Sequence, residues 1–152
     1  MDTKQILEHL NDLCQTDIDA VATYDQAIQN TSDPNVRNHL EKFKQDHERH
    51  VTELSNHIKK HGGHPPSQKT GFTGFFKQGF TAIRAAIGNE GALQAMRSNE
   101  KTTNEAYAKA TEWEVPDDIK QLIEKNYEDE QRHLEYIEEA LRTRPWEKRP
   151  QA

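Results

Sequence analysis

Apolar residues recur at steps of three and four along four long segments of this sequence. This spacing places them on one stripe of an α-helix, because a helix turns once every 3.6 residues. The pattern predicts helices over about residues 2–30, 34–61, 90–112 and 117–142. Only 32% of the residues are hydrophobic, which suits narrow helical seams better than a sheet covered on both faces. We therefore expect an all-α fold.

The connections between these segments indicate how the helices are arranged. Pro34 and Pro116 follow short breaks, whereas about 28 residues, 62–89, separate the second segment from the third. Short connections join antiparallel neighbours, and a long one crosses the bundle. The sequence predicts an antiparallel ferritin-like four-helix bundle of two related hairpins, in one domain over about residues 1–141, with a basic tail over 142–152.

The long crossover carries its own helical pattern. Its apolar residues fall on one face and predict a short helix around residues 73–87: Phe72, Phe76, Phe80, Ile83 and Ile87. We expect the three phenylalanine rings to be at least half buried against the bundle or a second copy of the chain. Binding to a membrane surface is the alternative, but positive charge is sparse on this segment.

Charge and apolar content narrow the partners. The 26 acidic and 20 basic residues give a net charge of −6 and leave no broad basic face, so nucleic acid is not an expected partner. No apolar run approaches the roughly 18 residues of a spanning helix, and the start lacks an apolar signal core. We expect a cytoplasmic monomer or homodimer, with the lone Cys14 as a small core residue.

An internal repeat aligns polar residues as well as apolar ones. A shift of 83 residues (from 17 to 100) superposes the two predicted hairpins without a gap. Apolar agreement follows from the helical pattern alone, but polar agreement does not. The matched polar pairs are Asp17 with Glu100, Tyr24 with Tyr107, His47 with Glu130, Arg49 with Arg132, and His50 with His133.

Six of these residues occupy seam positions, where they are predicted to be buried together: Asp17, His47, His50, Glu100, Glu130 and His133. A buried carboxylate without a partner costs several kcal/mol, so something must compensate the acids. One solution is a metal-free layer in which protonated histidines pair with carboxylates. The other is a divalent metal, with iron as the first candidate and manganese or zinc as alternatives.

The spacing of the donors supports the metal prediction. Glu130-x-x-His133 projects two donors from one helical face, as in di-iron carboxylate bundles, whereas His47-x-x-His50 has histidine where glutamate is expected. Tyr24 and Tyr107 are predicted one layer beyond the acids, either as hydrogen-bonded core residues or in a redox role. Arg49 and Arg132 are expected to pair at the surface with Asp46, Glu53, Asp129 or Glu128. Four further histidines have irregular spacing and are not assigned to a site: His39, His57, His61 and His64.

These motifs resemble the ferritin-like superfamily, in which an acid, a tyrosine seven residues on and a Glu-x-x-His recur in each hairpin. The sequence is more closely similar to its bacterial branch called domain of unknown function 2383. The similarity lies in Leu10-Asn11-Asp12-Leu13, in His61-Gly62-Gly63-His64-Pro65, in residues 74–80 of the crossover and in residues 99–107. It extends over about residues 7–141.

The resemblance implies the fold, but the branch has no established activity. In ferritins and rubrerythrin-like proteins the equivalent site binds two irons and reacts with oxygen or peroxide, so an oxidoreductase or iron-handling protein is one expectation. His47 departs from that pattern and leaves Glu130 as the only expected bridging residue, which makes a mononuclear or loosely coupled site an alternative. The competing function is a non-enzymatic stress or interaction protein with a metal-free polar layer.

Overall fold

The computed structural model of the protein describes residues 1–67 and 88–147. These residues form four α-helices and a short 3₁₀ helix, and no strand occurs among them. The helices are α1 (Thr3–Gln29), α2 (Pro34–Lys60), α3 (Gly88–Ala110) and α4 (Asp117–Thr143), and the 3₁₀ helix is Pro145–Glu147. The predicted all-α four-helix fold is confirmed. The crossover helix predicted around 73–87, with Phe72, Phe76 and Phe80, lies outside the described residues.

Side chains at the helix starts explain where α1 and α2 begin. Asp2 accepts a hydrogen bond from the backbone N–H of Gln5 (2.8 Å), and the Gln5 side chain accepts one from the Asp2 N–H (3.0 Å). Asp33 caps α2 by accepting from the Val36 N–H (3.0 Å). The side-chain oxygen of Asn89 accepts from the Asp33 N–H (3.1 Å), which ties the turn between α1 and α2 to the start of α3.

The four helices pack as a ring in which each contacts two neighbours: α1 lies between α2 and α3, and α4 lies between α3 and α2. Neighbouring helices run antiparallel. For α1 and α3 this follows from two cross-contacts, because Tyr24 meets Glu100 while the earlier Asp17 meets the later Tyr107. The seam residues of all four helices therefore point towards one shared interior.

The interior contains two apolar clusters with a polar layer between them. One cluster includes Leu10, Leu54, Ile58, Ile119 and Ile123. The other includes Leu40, Phe43, Leu93, Met96 and Ile137, with Trp146 of the 3₁₀ helix packed partly buried against it. None of the described helices is long and apolar enough to cross a membrane.

Candidate metal centre

The structure brings the six predicted residues together in the polar layer. Helix α1 supplies Asp17, α2 supplies His47 and His50, α3 supplies Glu100, and α4 supplies Glu130 and His133. Each of the six is no more than 1% exposed to solvent. Groups of this kind are stable in the interior only when they compensate one another or bind an ion.

His50 is held between two carboxylates. Its Nδ1 lies 3.0 Å from Asp17 Oδ1 inside the layer, and its Nε2 lies 2.9 Å from Asp129 Oδ2 at the outer edge. Both ring nitrogens face acceptors, so both carry protons in the metal-free protein. Burial alone would lower the pKa of His50, but the charge of Asp17 and the hydrogen bonds to Asp129 and Asp17 raise it to about 10.

His133 repeats this arrangement in the second hairpin. Its Nε2 lies 2.8 Å from Asp46 Oδ2, whereas its Nδ1 points into the layer, 3.5 Å from Glu100 Oε1 and 3.7 Å from Glu130 Oε2. Burial lowers the pKa of His133, but the hydrogen bond to Asp46 and the negative charge of Glu100 outweigh it and raise the pKa to about 10. In each hairpin the histidine turns Nδ1 inward and binds an aspartate through Nε2.

The two tyrosines bind the acids of the opposite helix. Tyr107 Oη donates to Asp17 Oδ2 (2.6 Å), and Tyr24 Oη donates to Glu100 Oε1. Burial and the adjacent carboxylates raise the pKa of both tyrosines well above its usual value, so both phenols stay protonated.

Asp17 remains ionised in the layer. Burial would raise the pKa of Asp17, but the charge of His50 and the hydrogen bonds from His47 and His50 lower it to about 2.

His47 and Glu130 lie at the centre, where the two halves of the layer meet. His47 Nδ1 is 2.7 Å from Asp17 Oδ1 and 3.4 Å from Glu130 Oε1, and its Nε2 is 3.3 Å from Glu100 Oε1. Thr103 donates to Glu130 Oε2 (2.9 Å). His47 and Glu130 thus contact both halves of the layer.

The donor atoms fall into two overlapping groups of four that could hold a metal ion, each with its atoms within 4.8 Å of one another. One group is Asp17, His47, His50 and Glu130, and the other is His47, Glu100, Glu130 and His133. Two buried atoms, Glu130 Oε1 and His133 Nδ1, have no hydrogen-bond partner within the described part of the chain. Imidazole and carboxylate donors suit iron, manganese and zinc, so the residues fit a divalent metal.

Asp46 and Asp129 belong to the site, although the sequence predicts them as surface partners of the arginines. Their side chains are only 16% and 15% exposed, and each binds a layer histidine as well as an arginine. Arg132 contacts Asp46 at 2.8 Å, and Arg49 contacts Asp129. The available signal was the repeat, because the shift of 83 residues also superposes Asp46 on Asp129, each one residue before the predicted donor pair.

Cys14 is buried in the apolar cluster and does not reach the layer's donor groups. Its thiol lies 3.7 Å from Ser55 Oγ and 3.8 Å from the Val51 carbonyl oxygen. Burial raises the pKa of Cys14 to about 11, so the thiol stays protonated and is a poor nucleophile. This agrees with its predicted role as a small core residue.

Comparison with known families identifies the chain at the level of a family. Residues 5–113 match the family described as Domain of unknown function (DUF2383), and because the match covers most of the sequence, the chain belongs to this family. The match includes Asp17, His47, His50 and Glu100 but ends before α4, which carries Glu130 and His133. No curated protein matches the chain. The helical bundle is compatible with the predicted ferritin-like superfamily.

Proposed function

We propose that this protein binds a divalent transition metal in its core layer, with iron ahead of manganese and zinc, and that it serves in iron handling or redox chemistry. The observation that carries the proposal is the pair of inward-facing histidines. His50 and His133 each direct Nδ1 into the layer while Asp129 and Asp46 bind their Nε2. A carboxylate on the outer nitrogen orients a metal-binding imidazole and makes it a better donor.

The two central residues set how many ions are expected. Glu130 has one oxygen near His47 and His50 and the other near His133, so it can serve both donor groups. A neutral imidazole offers a single lone pair, so His47 can serve only one group at a time. We therefore expect one firmly bound ion, with a second held more weakly.

The chain's own residues would set the conditions for chemistry at the bound metal. A bound iron ion supplies one-electron chemistry and reactivity towards oxygen or peroxide. Tyr24 and Tyr107 keep protonated phenols against Glu100 and Asp17, and the apolar clusters restrict water on both sides of the layer. The single cysteine, Cys14, cannot form a rubredoxin-type iron site. A redox role would thus use an external electron donor.

Metal binding is expected to release protons at neutral pH. His50 holds a proton on both nitrogens in the metal-free protein and must lose the one on Nδ1 to bind a metal. We expect roughly one to two protons released per ion. Calorimetric titration of chelator-treated, tag-free protein with Mn²⁺ in two buffers of different ionisation enthalpy measures this number. Binding heats that do not depend on the buffer, or no saturable heat at all, would contradict the proposal.

Asp46 and Asp129, the two outer aspartates, are expected to control metal affinity without binding the metal themselves. Asp129→Asn removes the negative charge behind His50 and should weaken metal binding by roughly tenfold or more. Asp46→Asn should act in the same way through His133. Asp25→Asn is the matched control, because Asp25 forms an ion pair with Lys44 (2.7 Å) away from the layer. Competition with a chromogenic chelator gives the affinities, and equal affinities for all variants would argue against this role.

A second candidate function rests on the charge balance of the layer. Three carboxylates face three imidazoles within hydrogen-bond or ion-pair distance, and the two outer aspartates also pair with arginines. Such a network is able to compensate its own charges and to fix the register of the helices without a metal. The protein would then be a non-enzymatic helical protein of the stress or interaction type.

A further inference from the structure

A second cluster of metal-binding side chains lies at one end of the bundle, where α2 ends and α4 begins. His57 lies in the last turn of α2, and His61 follows four residues later as the residue that ends the helix. Residues four apart on a helix lie on the same face. Asp118, the second residue of α4, approaches that face from the neighbouring helix.

The geometry of this cluster suits a single ion. His57 Nδ1 lies 3.7 Å from Asp118 Oδ2, and one donor atom from each of the three residues falls within 4.8 Å of the other two. Ligands that bind one zinc ion at about 2.0–2.1 Å lie roughly 3–4 Å apart, so small side-chain rotations would bring the three donors to an ion.

Two nitrogens in the cluster lack a hydrogen-bond partner among the described residues. His57 Nδ1 and His61 Nε2 are inaccessible to solvent, and neither forms a hydrogen bond within the part of the chain that the structure describes. Leaving a buried polar atom unpaired costs about 1–3 kcal/mol. A metal would satisfy two such imidazole nitrogens, which lie on adjacent turns beside a carboxylate and form no hydrogen bond in the described part of the chain.

We infer that His57, His61 and Asp118 form a zinc site at the end of the bundle, separate from the core layer. Two imidazoles and one carboxylate are a common zinc ligand set, and water completes the coordination. Lys60 Nζ lies 3.0 Å from Asp118 Oδ2, so its ammonium group forms an ion pair with this carboxylate in the metal-free protein. The Lys60 side chain is 66% exposed and is free to turn into solvent when zinc binds.

The test is the number of Zn²⁺ ions bound per chain at micromolar free Zn²⁺, measured by equilibrium dialysis. His57→Gln/His61→Gln is expected to bind one ion fewer than the parent protein. The matched control, His9→Gln/His39→Gln, also removes two partly buried histidines and should bind as many ions as the parent. Circular dichroism checks that both variants fold.

Asp118→Asn provides an independent variant, because it keeps both histidines and removes only the charged donor. We expect at least a tenfold weaker affinity for one Zn²⁺ ion. Equal stoichiometry in His57→Gln/His61→Gln and the parent, unchanged affinity in Asp118→Asn, or binding only at millimolar Zn²⁺ would overturn the inference. The site does not depend on the core layer. If only the core proposal fails, the parent still binds one Zn²⁺ and His57→Gln/His61→Gln binds none.

Discussion

His133→Leu is expected to remove most of the rise in melting temperature that iron(II) produces in the parent protein. His133 supplies its inward-facing Nδ1 to one of the two donor groups, and its Nε2 binds Asp46 at the outer edge of the layer. Metal at a thousandfold excess over its Kd stabilises a folded protein by about 4 kcal/mol. For a domain of this size that corresponds to a rise of roughly 8–16 °C. A variant that lacks one donor binds more weakly and loses most of this gain.

The comparison requires the same metal difference in three proteins. Melting curves are recorded without oxygen, with iron(II) or with chelator, for the parent, His133→Leu and the control His64→Leu. The His64 side chain is exposed and lies outside the layer, so its variant should keep the full rise. Using the difference between iron and chelator cancels the effect of each substitution on the metal-free protein. An equal rise in His133→Leu and the parent would remove His133 from the set of ligands.

Asp17→Leu is expected to lower the free energy of unfolding of the metal-free protein by about 3–5 kcal/mol. The Asp17 carboxylate accepts hydrogen bonds from His47, His50 and Tyr107. Its removal leaves two buried imidazolium groups short of a counter-charge and one buried phenol without its acceptor. Breaking one side of a buried charge network is costly even where replacement of the whole network is not.

The free energies of unfolding of Asp17→Leu and the parent are best compared at a pH set by two pKa shifts, those of Asp17 and His50. The pKa of Asp17 is lowered to about 2, so its contribution is complete above the unfolded value of about 4 and is lost as the pH falls towards 2. The pKa of His50 is raised to about 10, so its contribution is complete below the unfolded value of about 6.5 and is lost as the pH rises through 10. Between about pH 4 and 6.5 both contributions are present.

Urea unfolding at pH 5.5 in the presence of chelator therefore gives the largest difference between Asp17→Leu and the parent. Asp12→Leu is the control, because Asp12 is an exposed residue of the same helix. Its free energy of unfolding should stay within about 0.5 kcal/mol of the parent. A loss of similar size in both variants would mean that the effect arises from helix α1 and not from the layer.

The sequence was sufficient to predict the fold and the composition of the layer. Repeated apolar spacing determines four helices, and two short connections leave few ways to pack them. The polar residues on the seams, such as Asp17 and Glu130, then have to meet in the interior. The shift of 83 residues predicted the level at which they meet, since it superposes His50 on His133 along with the apolar residues around them.

The outer partners could not be predicted from helical spacing alone. Asp46 and Asp129 each lie one residue before the seam, at the edge between the buried and exposed faces. Whether such a side chain reaches a histidine on the opposite helix depends on how closely α2 and α4 approach. The cluster of His57, His61 and Asp118 at the end of the bundle depends on the same distance between α2 and α4. Asp118 meets the two histidines only because these helices pack together. Spacing within one helix carries no information about that distance.

The most direct test of metal binding in the polar layer compares melting temperatures with iron(II) and with chelator. The two proteins compared are the parent and a variant with aliphatic residues at all six layer positions. The positions are Asp17, His47, His50, Glu100, Glu130 and His133. We predict that iron(II) raises the melting temperature of the parent above its value in chelator. Most of this rise should be absent in the six-fold variant. No rise in the parent, together with a six-fold variant that melts at a higher temperature than the parent in chelator, would show that the layer is a metal-free network.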